Sequence, residues 1–260
     1  MKISIHSDLH LELQDLPVGF LSTVPDILIL AGDIHYAKEN KLISFLEDLL
    51  SQYESMQILF VFGNHEFYRH DNMLAAEERL KQQAESYERL HILQCDSVCI
   101  NGVRFLGCTS WSDFESVREF EREVSKLESQ HRINDFRVIG TADNKIFTVD
   151  DCIALGKKHR AWLESELEKH FDGKTVVITH FPPSIALSHP LYPVEGNPLT
   201  GYFMCNNQAL IDRYQPDFWV FGHTHANYDT YSGKTRLVSN QKGYGRECHE
   251  SYNPDQLIVL

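Results

Sequence analysis

Gln57-Ile58-Leu59-Phe60-Val61-Phe62-Gly63-Asn64-His65-Glu66 decides the fold class of this chain. A short, almost unbroken apolar run bounded by glycine suits a strand buried on both faces. The polar cluster then stands where such a strand leaves its sheet. The pattern recurs on either side. Lys2–His6 runs into Asp8-Leu9-His10, and Asp26–Ala31 into Gly32-Asp33. Further on, Thr175–Thr179 runs into His180, and Asp217–Phe221 into Gly222-His223-Thr224-His225. Helical periodicities lie between these runs: Leu42, Phe45, Leu46 and Leu49 mark one face, Met73, Leu80, Ala84 and Tyr87 another, and Leu155, Trp162, Leu163 and Leu167 a third.

Strands buried on both faces and alternating with helices predict an α/β fold of layered sheets. Val98–Ile100 and Val103–Leu106 flank Asn101-Gly102, the pair that best tolerates a type I′ hairpin turn. Asn227–Tyr231 and Thr235–Ser239 flank Ser232-Gly233-Lys234, and Gln256–Leu260 reads as a last strand. Such hairpins make the sheets mixed. With 260 residues and no linker or repeat, one domain over 1–260 is expected. Within it, about 111–170 reads as a charged helical insertion. The stretch 181–205, with five prolines, reads as a long substrate-side loop.

Composition limits the function. No apolar run approaches the ~20 residues of a membrane span. The N-terminus lacks the features of a signal peptide. The six cysteines form no C-x-x-C pair and read as reduced thiols, which implies a cytoplasmic protein. Twenty-four Lys and Arg against 37 Asp and Glu give a net charge of −13, which disfavours long nucleic acid.

Five strand-like runs therefore deliver Asp8, His10, Asp33, Asn64, His180, His223 and His225 to one rim, since ligands bind at the carboxyl ends of strands in α/β sheets. The i, i+2 spacing of Asp8 with His10, and of His223 with His225, predicts that in extended backbone both members of a pair face the same side. Gly32, Gly63 and Gly222 each precede a candidate ligand, where side-chain bulk or a negative φ would obstruct. A carboxylate, amide and imidazole set without thiolate favours Mn, Fe, Zn or Mg.

The ordered set D-x-H, G-D, G-N-H-E, H and G-H-x-H resembles the calcineurin-like metallophosphoesterase superfamily, and it is complete over residues 8 to 225. Ser239-Asn240-Gln241-Lys242-Gly243-Tyr244-Gly245 also resembles the ending of small bacterial members. The resemblance implies a two-sheet β-sandwich of mixed strands flanked by helices, with two divalent metal ions at one edge. Asp8, His10 and His225 would hold one ion, Asn64, His180 and His223 the other, and Asp33 would bridge them. His65 matches the histidine that stabilises the transition state or protonates the leaving oxygen. The implied reaction is hydrolysis, by a hydroxide bridging the metals, of a small-molecule or nucleotide phosphoester.

Departures narrow the class. Gly32-Asp33-Ile34-His35-Tyr36 lacks the arginine that protein phosphatases of this superfamily carry. Tyr36 stands at the position of the iron-binding tyrosine of purple acid phosphatases. Those enzymes have D-x-G where this chain has Asp8-Leu9-His10, so Tyr36 is read as a packing or rim residue. His35, Phe181, Tyr202 and Tyr244 are candidates for contact with substrate. Trp111, Phe114, Asn134, Asp135, Phe136 and Arg137 are alternatively pocket-shaping or peripheral. The competing readings are a nuclease and a non-catalytic metal-binding scaffold.

Overall fold

Along β2 (Ile27–Ala31) every side chain is buried, and alternate ones enter different cores. Ile27, Ile29 and Ala31 join Ile3 and Ile5 of β1 (Lys2–His6) and Leu59 and Val61 of β3 (Gln57–Val61) between two sheets. Leu28 and Leu30 face the other way, with Ile58 and Phe60, against helices. This is the two-sided burial predicted from the apolar runs. The computed structural model describes residues 1–69, 72–142, 145–247 and 251–260, so Cys248, read above as a reduced thiol, lies outside the described residues.

The first sheet has the order β11-β1-β2-β3-β4, with β4 at Leu90–Leu93 and β11 at Ile258–Val259. Strands β1 to β4 are parallel, and β11 pairs antiparallel with β1. The second sheet has the order β5-β6-β7-β8-β10-β9. Its strands are β5 (Asp96–Ile100), β6 (Val103–Cys108), β7 (Lys174–Thr179), β8 (Phe218–Val220), β9 (Asp229–Ser232) and β10 (Thr235–Val238). The four inner strands are parallel, with β5 and β9 antiparallel at the edges. Asn101 and Gly102 have φ of 51° and 77°, as the predicted turn requires.

Helices α1 (Lys41–Gln52) and α2 (Met73–Ala84) cover the outer face of the first sheet. On the second sheet, Leu163 and Leu167 of α5 (Val149–Glu168) and Leu210 and Ile211 of α7 (Gln208–Tyr214) pack with Val177 and Trp219. The Asn72 side chain caps α2 by accepting from the Leu74 and Ala75 amides, and Thr148 and Asp151 form a capping box on α5. The architecture is the expected pair of mixed sheets flanked by helices. Because α5 belongs to a flanking layer, the part of 111–170 that reaches the strand exits comes from α3 (Glu119–Arg132) and α4 (Asp135–Val138). The 181–205 loop holds a 3-10 turn at Ile185–Leu187 and the short α6 (Thr200–Phe203). No described helix is long and apolar enough to cross a membrane.

Candidate metal centre

The exits of β1, β2, β3, β7 and β8 meet where the two sheets adjoin. Gly32 leaves β2 with φ +87°, and a Cβ there would come within 2.5 Å of His180 Nδ1. Gly63 has no positive φ; a Cβ there would fall 2.2 Å from Asp33 Oδ1, so crowding alone selects glycine. The paired ligands converge by another route than extended backbone. Asp8, His10, His223 and His225 have φ of 54°, 46°, 75° and 56°, and Asp33 has 54°. Left-handed turns, not strand alternation, aim these side chains inward.

His10 Nε2 and His225 Nε2 approach to 3.2 Å, and Asp8 Oδ1 lies 3.5 Å from His225 Nε2. Both rings have Nδ1 on a carboxylate, His10 on Glu12 at 3.1 Å and His225 on Glu247 at 3.0 Å. With Nδ1 protonated, Nε2 of each ring is the nitrogen turned into one shared space, where both could donate a lone pair to a cation once the proton between them leaves. Donor atoms of Asp8, His10 and His225 lie within 4.8 Å of one another. Those of Asp33, His180 and His223 form a second such group. Asn64 Oδ1 joins it, 3.1 Å from His180 Nε2. Asp33 Oδ2 stands between the groups, 3.8 Å from His10 Nε2 and 3.5 Å from His180 Nε2.

His223 Nε2 is buried without a hydrogen-bond partner. An orphaned polar atom among converging oxygen and nitrogen donors fits a divalent cation. The charges agree. Burial opposes ionisation of Asp33, but His180 and His65 overcome it and hold the carboxyl well below its usual range. Burial likewise disfavours charge on His180 and His225, yet Asp33 raises the first to about 9 and Asp8 the second to about 10. Imidazolium protons neutralise the buried carboxylates here, and a cation would take their place.

Residues 1–227 match the family described as calcineurin-like phosphoesterase. The chain belongs to this family. It is also 24% identical to protein L509 of Acanthamoeba polyphaga mimivirus, over 97% of this chain and 96% of that one. Among solved structures it resembles phosphopantetheinyl hydrolase (PptH) from Mycobacterium tuberculosis, with a TM-score of 0.67 and 19% identity over 95% of this chain and 90% of that one. A dimetal phosphatase from Danio rerio aligns with a TM-score of 0.50 and 13% identity, over 92% and 86% of the two chains. At these identities the structural likeness concerns the fold.

Around the phosphoesterase centre, His65 occupies a 3-10 turn after β3. Its backbone amide donates to Asp33 Oδ1 at 2.8 Å, its Nδ1 lies 3.0 Å from Glu12 Oε1, and its ring stacks on Tyr68 at 4.2 Å. Burial works against its charge, but Asp33 and Glu12 raise it to about 9. Glu66, the last residue of G-N-H-E, accepts from the amides of Asp33, Ile34 and Gly63 at 3.0, 2.7 and 2.7 Å. It thereby ties the exits of β2 and β3 together.

Asp135 accepts from Asn64 Nδ2 at 3.0 Å, from the Tyr68 hydroxyl at 2.6 Å and from the Tyr202 hydroxyl. A carboxylate accepts only, so the Asn64 nitrogen turns to Asp135 and its oxygen to His180. Of the insertion residues weighed above, Asn134 and Asp135 border the site, whereas Trp111, Phe114 and Phe136 pack into the apolar interior.

A cavity of about 690 Å³ opens over the centre, bordered by His65, Tyr68, Tyr202, Phe203, Tyr244 and Arg132. Tyr244 sets its ring edge-on to His10 at 4.6 Å. Tyr202 is buried, with its hydroxyl on Asp135, so it offers a ring face rather than a polar handle. Phe181 and His35 do not border the cavity. Successive residues leaving a strand point to opposite sides. With His180 aimed at Asp33, Phe181 enters the core and stacks on His223 at 3.9 Å. His35 Nδ1 lies 3.2 Å from the Tyr36 carbonyl. Tyr36 is a packing residue that does not border the cavity; it lies against the core, its ring 6.4 Å from His65 and beneath Arg69.

Proposed function

We propose that the chain is a binuclear metallophosphoesterase that hydrolyses a small-molecule or nucleotide phosphoester. The observation that carries this reading is the pair of donor groups meeting at Asp33 Oδ2 beneath one cavity. Asp8, His10 and His225 hold one divalent cation, Asn64, His180 and His223 the other, and Asp33 serves both. Two cations so held lower the pKa of a water and draw charge from the phosphoryl oxygens.

The chain's own groups do the rest. His65 holds a proton on Nε2 beneath the cavity and delivers it to the departing oxygen. Tyr68 supports that ring from one face. Tyr202, Phe203 and Tyr244 form an aromatic wall for the leaving group and exclude water beside it. A cavity of about 690 Å³ and a net charge of −13 support a small substrate over a polynucleotide. Free thiols, Cys99 exposed among them, support a reducing, cytoplasmic setting.

The test loads the protein with Mn²⁺ and screens bis(4-nitrophenyl) phosphate, mono- and cyclic nucleotides, and a phosphopantetheinyl ester, the last prompted by the name of the mycobacterial relative. Turnover that a chelator abolishes is expected. Two tightly bound ions with no turnover across the panel would instead identify a non-catalytic scaffold.

A further inference from the structure

Glu12 lies two residues beyond His10, in no ligand motif, and its side chain is 3% exposed. One oxygen, Oε1, serves two rings, 3.1 Å from His10 Nδ1 and 3.0 Å from His65 Nδ1. The other, Oε2, is buried without a partner. A carboxylate oxygen cannot donate, so each contact requires a hydrogen on Nδ1. The consequence differs for the two rings. In His10 the lone pair is directed to Nε2, which faces Asp33 and His225. In His65 the engaged Nδ1 leaves Nε2 as the nitrogen available to the cavity that this residue borders.

We propose that Glu12 is a shared positioning residue, whose single oxygen fixes the tautomer of His10 and the orientation of both His10 and His65. One side chain then sets both the donor atom offered to a cation and the direction of the proton offered to a leaving group. The second consequence rests on the phosphoesterase reading; the first does not. The geometry favours this role over direct ligation, because Glu12 belongs to none of the groups of converging donor atoms among the described residues.

Three measurements on Glu12→Ala and Glu12→Gln test the assignment. Long-range ¹H–¹⁵N spectra of the metal-free protein are expected to show His10 and His65 protonated on Nδ1, and to lose that signature in Glu12→Ala. Calorimetric titration with Mn²⁺ should show one of the two binding steps weakened by roughly 10- to 100-fold in Glu12→Ala. Glutamine keeps an acceptor oxygen, so Glu12→Gln should retain the tautomers and most of the affinity, which guards against a folding artefact.

Finally, turnover of an alkyl phosphoester should fall at least about tenfold further than that of a 4-nitrophenyl ester, whose leaving group departs without a proton. Unchanged tautomers and wild-type Mn²⁺ affinity in Glu12→Ala would overturn the assignment, as would equal losses on both esters. If the wild-type protein hydrolyses nothing, the phosphoesterase reading fails, while the spectra and the titration still judge Glu12.

Discussion

In one half of the proposed centre both imidazoles rest on carboxylates, His10 on Glu12 and His225 on Glu247, and Glu247 is itself held by the Tyr192 hydroxyl. In the other half His180 Nδ1 meets the Ala31 carbonyl at 2.9 Å, and His223 has the Phe181 ring against its face. Anionic backing makes an imidazole a stronger base and adds negative charge behind the cation; the Ala31 carbonyl also raises the basicity of His180 but adds no net charge, and a phenyl ring does neither. The halves also differ in their oxygen ligands, the carboxylate of Asp8 against the neutral amide of Asn64. Near-symmetric ligand counts therefore conceal unequal grips. The Asp8–His10–His225 half is expected to hold its cation more tightly.

The largest effect should come from erasing the difference. Asp33→Asn removes the group common to both halves and should reduce turnover by roughly 1,000-fold or more, about 4 kcal/mol of barrier, with metal analysis showing loss from both halves. Retention of both ions would break the comparison. His65→Ala should cost roughly 100- to 10,000-fold in turnover of an alkyl ester while leaving metal content at the wild-type level.

Graded chelation sharpens the contrast. The Asn64–His180–His223 half should empty first, and Glu247→Gln should narrow the gap by weakening the other half roughly 10- to 100-fold. A single titration step in the wild-type protein would argue against unequal halves. Asp135→Asn reaches the weaker half from outside. It frees the Asn64 amide to rotate and should lower its affinity, at a stability cost of about 1–3 kcal/mol from the broken buried hydrogen bonds, visible as a lower Tm. Smallest of all, Arg118→Ala deletes an exposed partner of Glu121 on α3 and should change stability by under ~0.5 kcal/mol and activity not at all.

The strand skeleton and the groups that converge on Asp33 were legible because each follows an apolar run long enough to be read alone. β4 was not, since Leu90-His91-Ile92-Leu93 is short and is interrupted by a polar residue. The supporting roles of Glu12, Glu66, Asp135 and Glu247 were illegible for a different reason, although Glu66 stands in G-N-H-E and Asp135 is among the insertion residues weighed above. These carboxylates act through hydrogen bonds across the fold, which no local sequence pattern announces. Glu12 also continues the two-residue spacing of Asp8 and His10. Neighbourhood in sequence misled at Phe181 and His35, where the backbone exit turns the side chain away from the cavity.

Five residues of the centre, Asp8, His10, Asp33, His223 and His225, sit in left-handed backbone, which Asp and His accept more readily than most side chains but still at a cost. At about 1–3 kcal/mol each, the sum is comparable with the whole net stability of an ordinary domain, about 5–15 kcal/mol. Durability and chemistry thus compete at the same five positions. A descendant released from its catalytic duty would gain by relaxing them first, and heat tolerance would rise as turnover disappeared.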